Sequence, residues 1–156
     1  MSGAGSLRPL GARDLDRAAA LHAAAFAALG ERAWTRQDVA ELLAAPGVAG
    51  LLVEDDDGDG GFVLYRVAVD EAELLTLAVS PARRRRGVGR TLLGAVIDRA
   101  RAVGARTLFL EVGADNGPAR SLYAAAGFAC IGRRAAYYQR HGGVAADALV
   151  MRLTLN

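Results

Sequence analysis

Two side chains stand out for the chemistry they could do. Leu108-Phe109-Leu110-Glu111-Val112 sets a carboxylate in an otherwise apolar run, and Tyr123 lies in Ser121-Leu122-Tyr123-Ala124-Ala125-Ala126-Gly127-Phe128. A carboxylate can take a proton and a phenol can give one, so the pair is a candidate base and acid. Upstream, Ala78-Val79-Ser80-Pro81 runs into Ala82-Arg83-Arg84-Arg85-Arg86-Gly87-Val88-Gly89-Arg90-Thr91-Leu92-Leu93. A strand end, a basic glycine-containing loop and a helix start make an anion site, because free N–H groups and the positive helix end both face the loop. The Walker phosphate loop is excluded, since it needs a lysine and this chain has none. The dinucleotide fingerprint is excluded too, with Leu92 standing where a third small residue is required. Taken singly, each feature has a plainer reading: a solvated strand carboxylate, a core aromatic, a solvated basic turn touching RNA.

The elements that must position these residues follow from periodicity. Ser6 to Leu10 reads as a short strand, and Asp14 is placed to cap a helix in which Leu15, Ala18, His22, Ala25, Phe26 and Leu29 recur at helical spacing up to Gly30. Thr35 with Asp38 forms a capping pair for a second helix, ended by Pro46-Gly47. Val48–Val53, Phe62–Val69 and Leu74–Val79 read as strands, with an acidic turn between the first two. Val88, Leu92, Val96, Ala100 and Val103 mark an amphipathic helix closed by Gly104. Thr107–Val112 is a buried strand, a short helix carrying Leu122, Ala125 and Ala126 stops at Gly127, and Phe128–Arg133 and Ala148–Leu155 close the chain. The order β-α-α-β-β-β-α-β-α-β-β predicts an α/β (α+β) domain, a mixed sheet with helices on its faces, spanning 1–156.

Composition narrows the class. A chain of 156 residues with 53% hydrophobic and 23% charged residues can bury a single core and is neither disordered nor fibrous. Net charge is +2, too small for a nucleic-acid coat protein, and no direct nucleic-acid partner is expected. The one cysteine, Cys130, rules out an internal disulfide framework and is expected as a small core residue. His22, His141 and Cys130 show no metal-ligand spacing, so no metal is expected. The run Ala18–Leu29 is too short to span a bilayer, which takes ~20 apolar residues, and the expected location is cytoplasmic. Glu54, Asp55, Asp56, Asp57 and Asp59 read as a solvated turn, or as a lure for a basic protein partner. A monomer or a weak dimer is expected.

Together the motifs carry more than they do apart. Arg84-x-x-Gly87-x-Gly89 opening a helix, then Asn116, then Leu122-Tyr123-x-x-x-Gly127-Phe128, resemble the GNAT superfamily of N-acetyltransferases. Leu75-Thr76-Leu77-Ala78-Val79, Leu110-Glu111-Val112, Arg133-Arg134 with Tyr137-Tyr138, and Asp147-Ala148-Leu149-Val150-Met151 resemble its RimI branch, which acetylates the N-terminal alanine of a small-subunit ribosomal protein. The resemblance implies the GNAT fold, a mostly antiparallel central sheet flanked by helices on both faces, and acetyl-CoA as co-substrate. It implies that Leu77, Ala78 and Val79 offer backbone groups to the acetyl carbonyl and pantetheine arm. It further implies that Arg84, Arg85, Arg86, Gly87, Val88, Gly89 and Arg90 wrap the pyrophosphate, and that Asn116 contacts the coenzyme. The resemblance makes Glu111 the base that frees the amine, directly or through a water, and Tyr123 the acid beside the sulfur; Trp34, Tyr137 and Tyr138 would line the acceptor slot, with packing over the sheet edge the alternative for the two tyrosines. A terminal amine, with pKa ~7.7–8.0 against ~10.4 for lysine, is freed at roughly 3 kcal/mol less cost. Gln139 after Tyr138, and Ala33 before Trp34, depart from the branch in the segments that shape the acceptor site. A small amine or a lysine side chain is the alternative acceptor, and a non-catalytic acyl-CoA- or RNA-binding module the remote one.

Overall fold

A computed structural model describes residues 5–140 and 143–156; His141 lies outside them. Seven strands form one sheet in the order β1-β2-β3-β4-β5-β7-β6. They are β1 (Ser6–Pro9), β2 (Val48–Asp55), β3 (Gly58–Ala68), β4 (Glu71–Val79), β5 (Thr107–Gly113), β6 (Ala129–Tyr138) and β7 (Ala146–Thr154). Every neighbouring pair is antiparallel except β4 and β5. A parallel pair needs a long crossover, and α3 (Val88–Ala102) supplies it. The other helices are α1 (Leu15–Phe26), α2 (Arg36–Ala44) and α4 (Gly117–Ala125), so the element order is the one the periodicity predicts.

Local chemistry sets the helix ends. The Thr35 hydroxyl accepts from the Asp38 N–H at 3.1 Å, while the Asp38 carboxylate accepts from the Thr35 N–H at 2.8 Å. That reciprocal pair starts α2 as the sequence predicts. Asp14 stands at the start of α1 but does not cap it; its carboxylate turns back to the Gly11 N–H and to Arg8 and Arg17. Asn116 caps α4, its side-chain oxygen accepting from the Ala119 N–H at 3.3 Å.

Period-2 alternation splits the sheet's side chains between two cores. Leu51, Val53, Val63 and Tyr65 pack with Val88, Leu92 and Val96 of α3 and Tyr123 of α4. Leu52, Phe62 and Leu64 pack on the opposite face with Leu15, Ala18 and Leu21 of α1 and Val39 of α2. The last strand pair departs from expectation. β6 is an edge strand of the sheet and nearly all its side chains are exposed, so Cys130 is a surface thiol rather than a core residue. Val103, expected on the buried helical stripe, lies past the end of α3 and is exposed. The acidic turn is narrower than predicted, and it is not merely solvated. Glu54 and Asp59 pair with Arg17, Glu54 also pairs with Arg8, and Asp55 binds Arg83.

Two irregularities in β4 matter most. Tyr65 pairs with Leu74 and Leu64 with Thr76, so Leu75 is an extra, bulged residue. Before the bulge, Ala72 and Leu74 face the α3 core; after it, Leu77 and Val79 face that core and Ala78 faces α1. At the same point the parallel pairing stops: its last pair is Leu74 with Leu110. Beyond it β4 and β5 part, and the sheet opens into a notch.

Candidate active site

The notch has two walls. Residues 75–79 of β4 form one, bonded to β3 along a single edge and free of β5 along the other. Leu77, Ala78 and Val79 therefore present one backbone edge to the opening. Residues 111–113 of β5 form the other wall, still paired to β7. Glu111 is the first residue past the split.

Behind β4 the chain runs through Arg84–Arg90 into α3. The backbone turns left-handed at Arg85 (φ 65°) and at Gly87 (φ 80°), where only glycine lacks the steric cost. The Thr91 N–H closes the first helical bond to the Gly87 carbonyl, so the N–H groups of Val88, Gly89 and Arg90 stay unbonded within the helix. Val88 is buried and Gly89 half-buried under the loop, and Arg85, Arg86 and Arg90 are exposed. Arg84 is also exposed, and its guanidinium donates to the Ala25 carbonyl at 2.9 Å, tying the loop to the end of α1. Exposed cations around unbonded helix-start amides fit a pyrophosphate.

Glu111 projects from the face opposite α3, since Leu108, Leu110 and Val112 take the α3 side. There α1 and α2 cover β2–β4 and leave the β5 face open. The Oε1 atom of Glu111 lies 3.3 Å from Nη2 of Arg134 on β6. Its Oε2 atom is buried and has no hydrogen-bond partner. Alongside is a cavity of about 360 Å³ lined by Arg66, Glu71, Glu73, Phe109, Glu111 and Val150. The sequence reading missed Glu71 and Glu73, whose alternation with Ala72 and Leu74 was the available signal.

Tyr137 and Tyr138 end β6, the strand whose Arg134 meets Glu111, whereas Tyr123 lies on α4 in the α3-side core. Tyr123 is buried on α4, its ring 5.7 Å from that of Phe128. Burial pushes its phenol well above the ordinary range, and Tyr138 adds to the effect. Tyr138 is half-buried and pushed up to about 12, by burial first and then by the charges of Glu111 and Glu31. Tyr137 is exposed, edge-on to Tyr138 at 5.3 Å, with the Arg134 guanidinium 5.1 Å from its ring centre. Trp34 stands apart from them. Its ring stacks on that of His22 at 4.5 Å, and its backbone N–H donates to His22 Nδ1 at 3.2 Å.

Arg140, Asp115 and Glu31 are further site residues absent from the sequence reading. Arg140 grips Asp115 through two 3.0 Å bonds, lies 5.0 Å from the Tyr138 ring centre, and points Nη1 at Glu31 from 3.9 Å. They come from three separate loops, and no local spacing announces them. Among the described residues, no group of three or more His, Cys, Asp or Glu side chains could hold a metal ion. No helix among them is long and apolar enough to cross a membrane.

Placed by the fold are a carboxylate with an unpartnered oxygen, a buried phenol on the α3 side of the sheet, a notch with an open backbone edge and a basic helix start. Known proteins share its frame. Residues 16–128 match the Acetyltransferase (GNAT) family. The [Ribosomal protein bS18]-alanine N-acetyltransferase of Salmonella typhimurium is 41% identical over 101 residues, 65% of this chain and 68% of that protein. Among solved structures, the ribosomal-protein-S18-alanine N-acetyltransferase from Escherichia coli superposes with TM-score 0.87 at 30% identity, covering 97% of this chain and 94% of that one. Arabidopsis thaliana NAA60 in complex with acetyl-CoA shares the fold, with TM-score 0.81 at 21% identity over 97% and 98% of the two chains.

Proposed function

The chain belongs to the acetyltransferase (GNAT) family, an acetyl-CoA-using family of enzymes, and on that premise we propose that it acetylates the α-amino group of a protein N-terminus. The acceptor class we assign is an N-terminal alanine, with a ribosomal protein as partner; the bacterial relatives named for that reaction support it. The observation that carries the catalytic reading is the buried, unpartnered Oε2 of Glu111 at the mouth of the notch. An unsatisfied buried acceptor costs stability and is kept where something else fills it. An amine N–H fills it here.

Arg85, Arg86, Arg90 and the free amides of Val88 and Gly89 would hold the pyrophosphate of acetyl-CoA, with Arg84 tethering their loop. Leu77, Ala78 and Val79 would pair with its pantetheine arm through their free backbone edge, and Asn116 would contact it from the start of α4. The bound thioester supplies an activated acetyl group for direct transfer. Glu111 takes the proton that an ammonium must lose before it can attack, while Arg134 fixes the carboxylate's other oxygen. Tyr123, kept protonated by burial, supplies a proton on the coenzyme side. The test is release of coenzyme A from acetyl-CoA with alanine-starting peptides, beside N-blocked and lysine-only controls. Turnover confined to free N-termini is expected, with Glu111→Gln lowering kcat by about 10²–10⁴-fold. Turnover of small amines alone would replace the acceptor assignment, and undiminished turnover in Glu111→Gln would remove the base.

A further inference from the structure

Arg140 is placed unlike any other arginine at the site. Its side chain is 7% exposed, and Nη1 is buried with no hydrogen-bond partner. Nη2 and Nε hold both oxygens of Asp115. The guanidinium rests where a side chain at position 113 would be: a Cβ on Gly113 would come within 2.6 Å of Arg140 Nη2 and of Asp115 Oδ1. Gly113 shares a strand face with Glu111, two residues or about 6.6 Å along. A guanidinium on that spot is therefore next to the base, on the acceptor side of the notch. One contact reaches the 114–116 loop through Asp115, and one reaches the segment after α1 through Glu31. A third spans the Tyr138 ring on the chain's way out of β6. An open cleft of about 700 Å³ lies between these loops, with Leu29, Ala114, Asp115, Arg140 and Asp147 in its wall.

We propose that Arg140 is a positioning residue for the acceptor: clamped on Asp115, over Gly113 and against Tyr138, it joins the three loops that wall the acceptor end and sets the width of the slot beside Glu111. This rests on the acetyltransferase reading and adds to it the residue that determines acceptor fit. Burial raises the proton affinity of Glu31, and Arg140 opposes that, so the two loops they belong to are coupled by charge as well as by contact. A two-pronged grip on Asp115 requires the planar guanidinium, which a lysine cannot reproduce.

Kinetics separate positioning from mere folding. Arg140→Ala is expected to raise the acceptor KM about tenfold or more, with kcat falling less and the KM for acetyl-CoA unchanged. Asp115→Asn should move the acceptor KM in the same direction, and Arg140→Lys should recover only part of the loss. An unchanged acceptor KM in Arg140→Ala overturns the proposal, and so does a parallel rise in both KM values, which would signal general loosening. Hydrogen exchange on the free protein gives a readout independent of turnover. Exchange should quicken at 29–33 and 113–116 in Arg140→Ala and stay unchanged through α3. If the wild type acetylates no N-terminal peptide, the acceptor assignment falls alone, and these exchange rates decide the clamp, with no change at 29–33 and 113–116 counting against it.

Discussion

At the scale of single residues, the division of labour between Tyr123 and Tyr138 turns on burial. Both phenols stay protonated far above neutral pH, Tyr123 by desolvation in the α3-side core and Tyr138 by desolvation and two neighbouring carboxylates. Tyr123 belongs to α4, the helix capped by Asn116, and is the phenol proposed to serve the leaving sulfur. Replacing Tyr123 with Phe should lower kcat about 10²-fold while coenzyme binding, read by calorimetry, is kept. Equal loss of kcat and of coenzyme affinity would make it a packing residue instead. Gly113→Ala drives a methyl group into Arg140 and Asp115, and the expected result is an acceptor KM raised as in Arg140→Ala with intact α3 packing. Glu111, Tyr123 and the arginine loop could be singled out as candidates because each sits inside one short motif. Arg140, Asp115 and Glu31 were not, because three loops distant in sequence bring them together. Cys130 was misread for a different reason: Phe128-Ala129-Cys130-Ile131 is as apolar as a core strand, and composition does not say which strand is the edge.

Among the elements, the order of helices and strands is the one periodicity predicts, although Asp14 does not cap α1 and β6 runs on to Tyr138 rather than ending at Arg133; the bulge at Leu75 does not show in the run Leu74–Val79, where nearly every residue is apolar. A one-residue slip exchanges the two faces of a strand, and a uniformly apolar strand tolerates either face. The joint between α1 and α2 is held differently, by His22, which is tilted against Phe26, stacked on Trp34 and accepts the Trp34 backbone N–H. An accepting imidazole nitrogen must be unprotonated, and burial lowers the His22 pKa from 6.5 to about 4. The unfolded chain therefore binds a proton that the folded one refuses between those values. Stability is full above about pH 6.5 and declines as pH falls toward 4, by about 3 kcal/mol in all. Thermal melts at pH 7 and pH 4.5 should show a larger drop for the wild type than for His22→Gln. Parallel drops in the two proteins would place the acid sensitivity elsewhere. Asp14, held down to about 2 chiefly by Arg8, loses its contribution only below its ordinary value near 3.8, in a separate and more acidic window.

For the whole molecule, the decisive feature is that one sheet is nearly two. β1–β4, with α1 and α2 on one face, meet β5–β7 through only four parallel residue pairs before the strands part. A ligand lying in the opening touches both halves and the loop before α3, so occupancy should stabilise the fold as a unit. Coenzyme A at 100 times its Kd adds about 2.7 kcal/mol, which for a chain of this size raises Tm by roughly 5–10 °C. With Arg85, Arg86 and Arg90 changed to Ala, that rise should largely vanish at the same coenzyme concentration, while Tm of the free protein changes little because those side chains are exposed. Arg17→Ala supplies the opposite case. It strips partners from Asp14, Glu54 and Asp59 in the network joining α1 to the β2–β3 hairpin, at a cost of about 1–3 kcal/mol. Tm of the free protein should fall, yet the increment given by coenzyme A should survive, since nothing in the notch is touched. If the arginine-loop variant keeps its full increment, the coenzyme is held elsewhere, and the notch between β4 and β5 loses its claim to be the place where the two halves are joined by ligand.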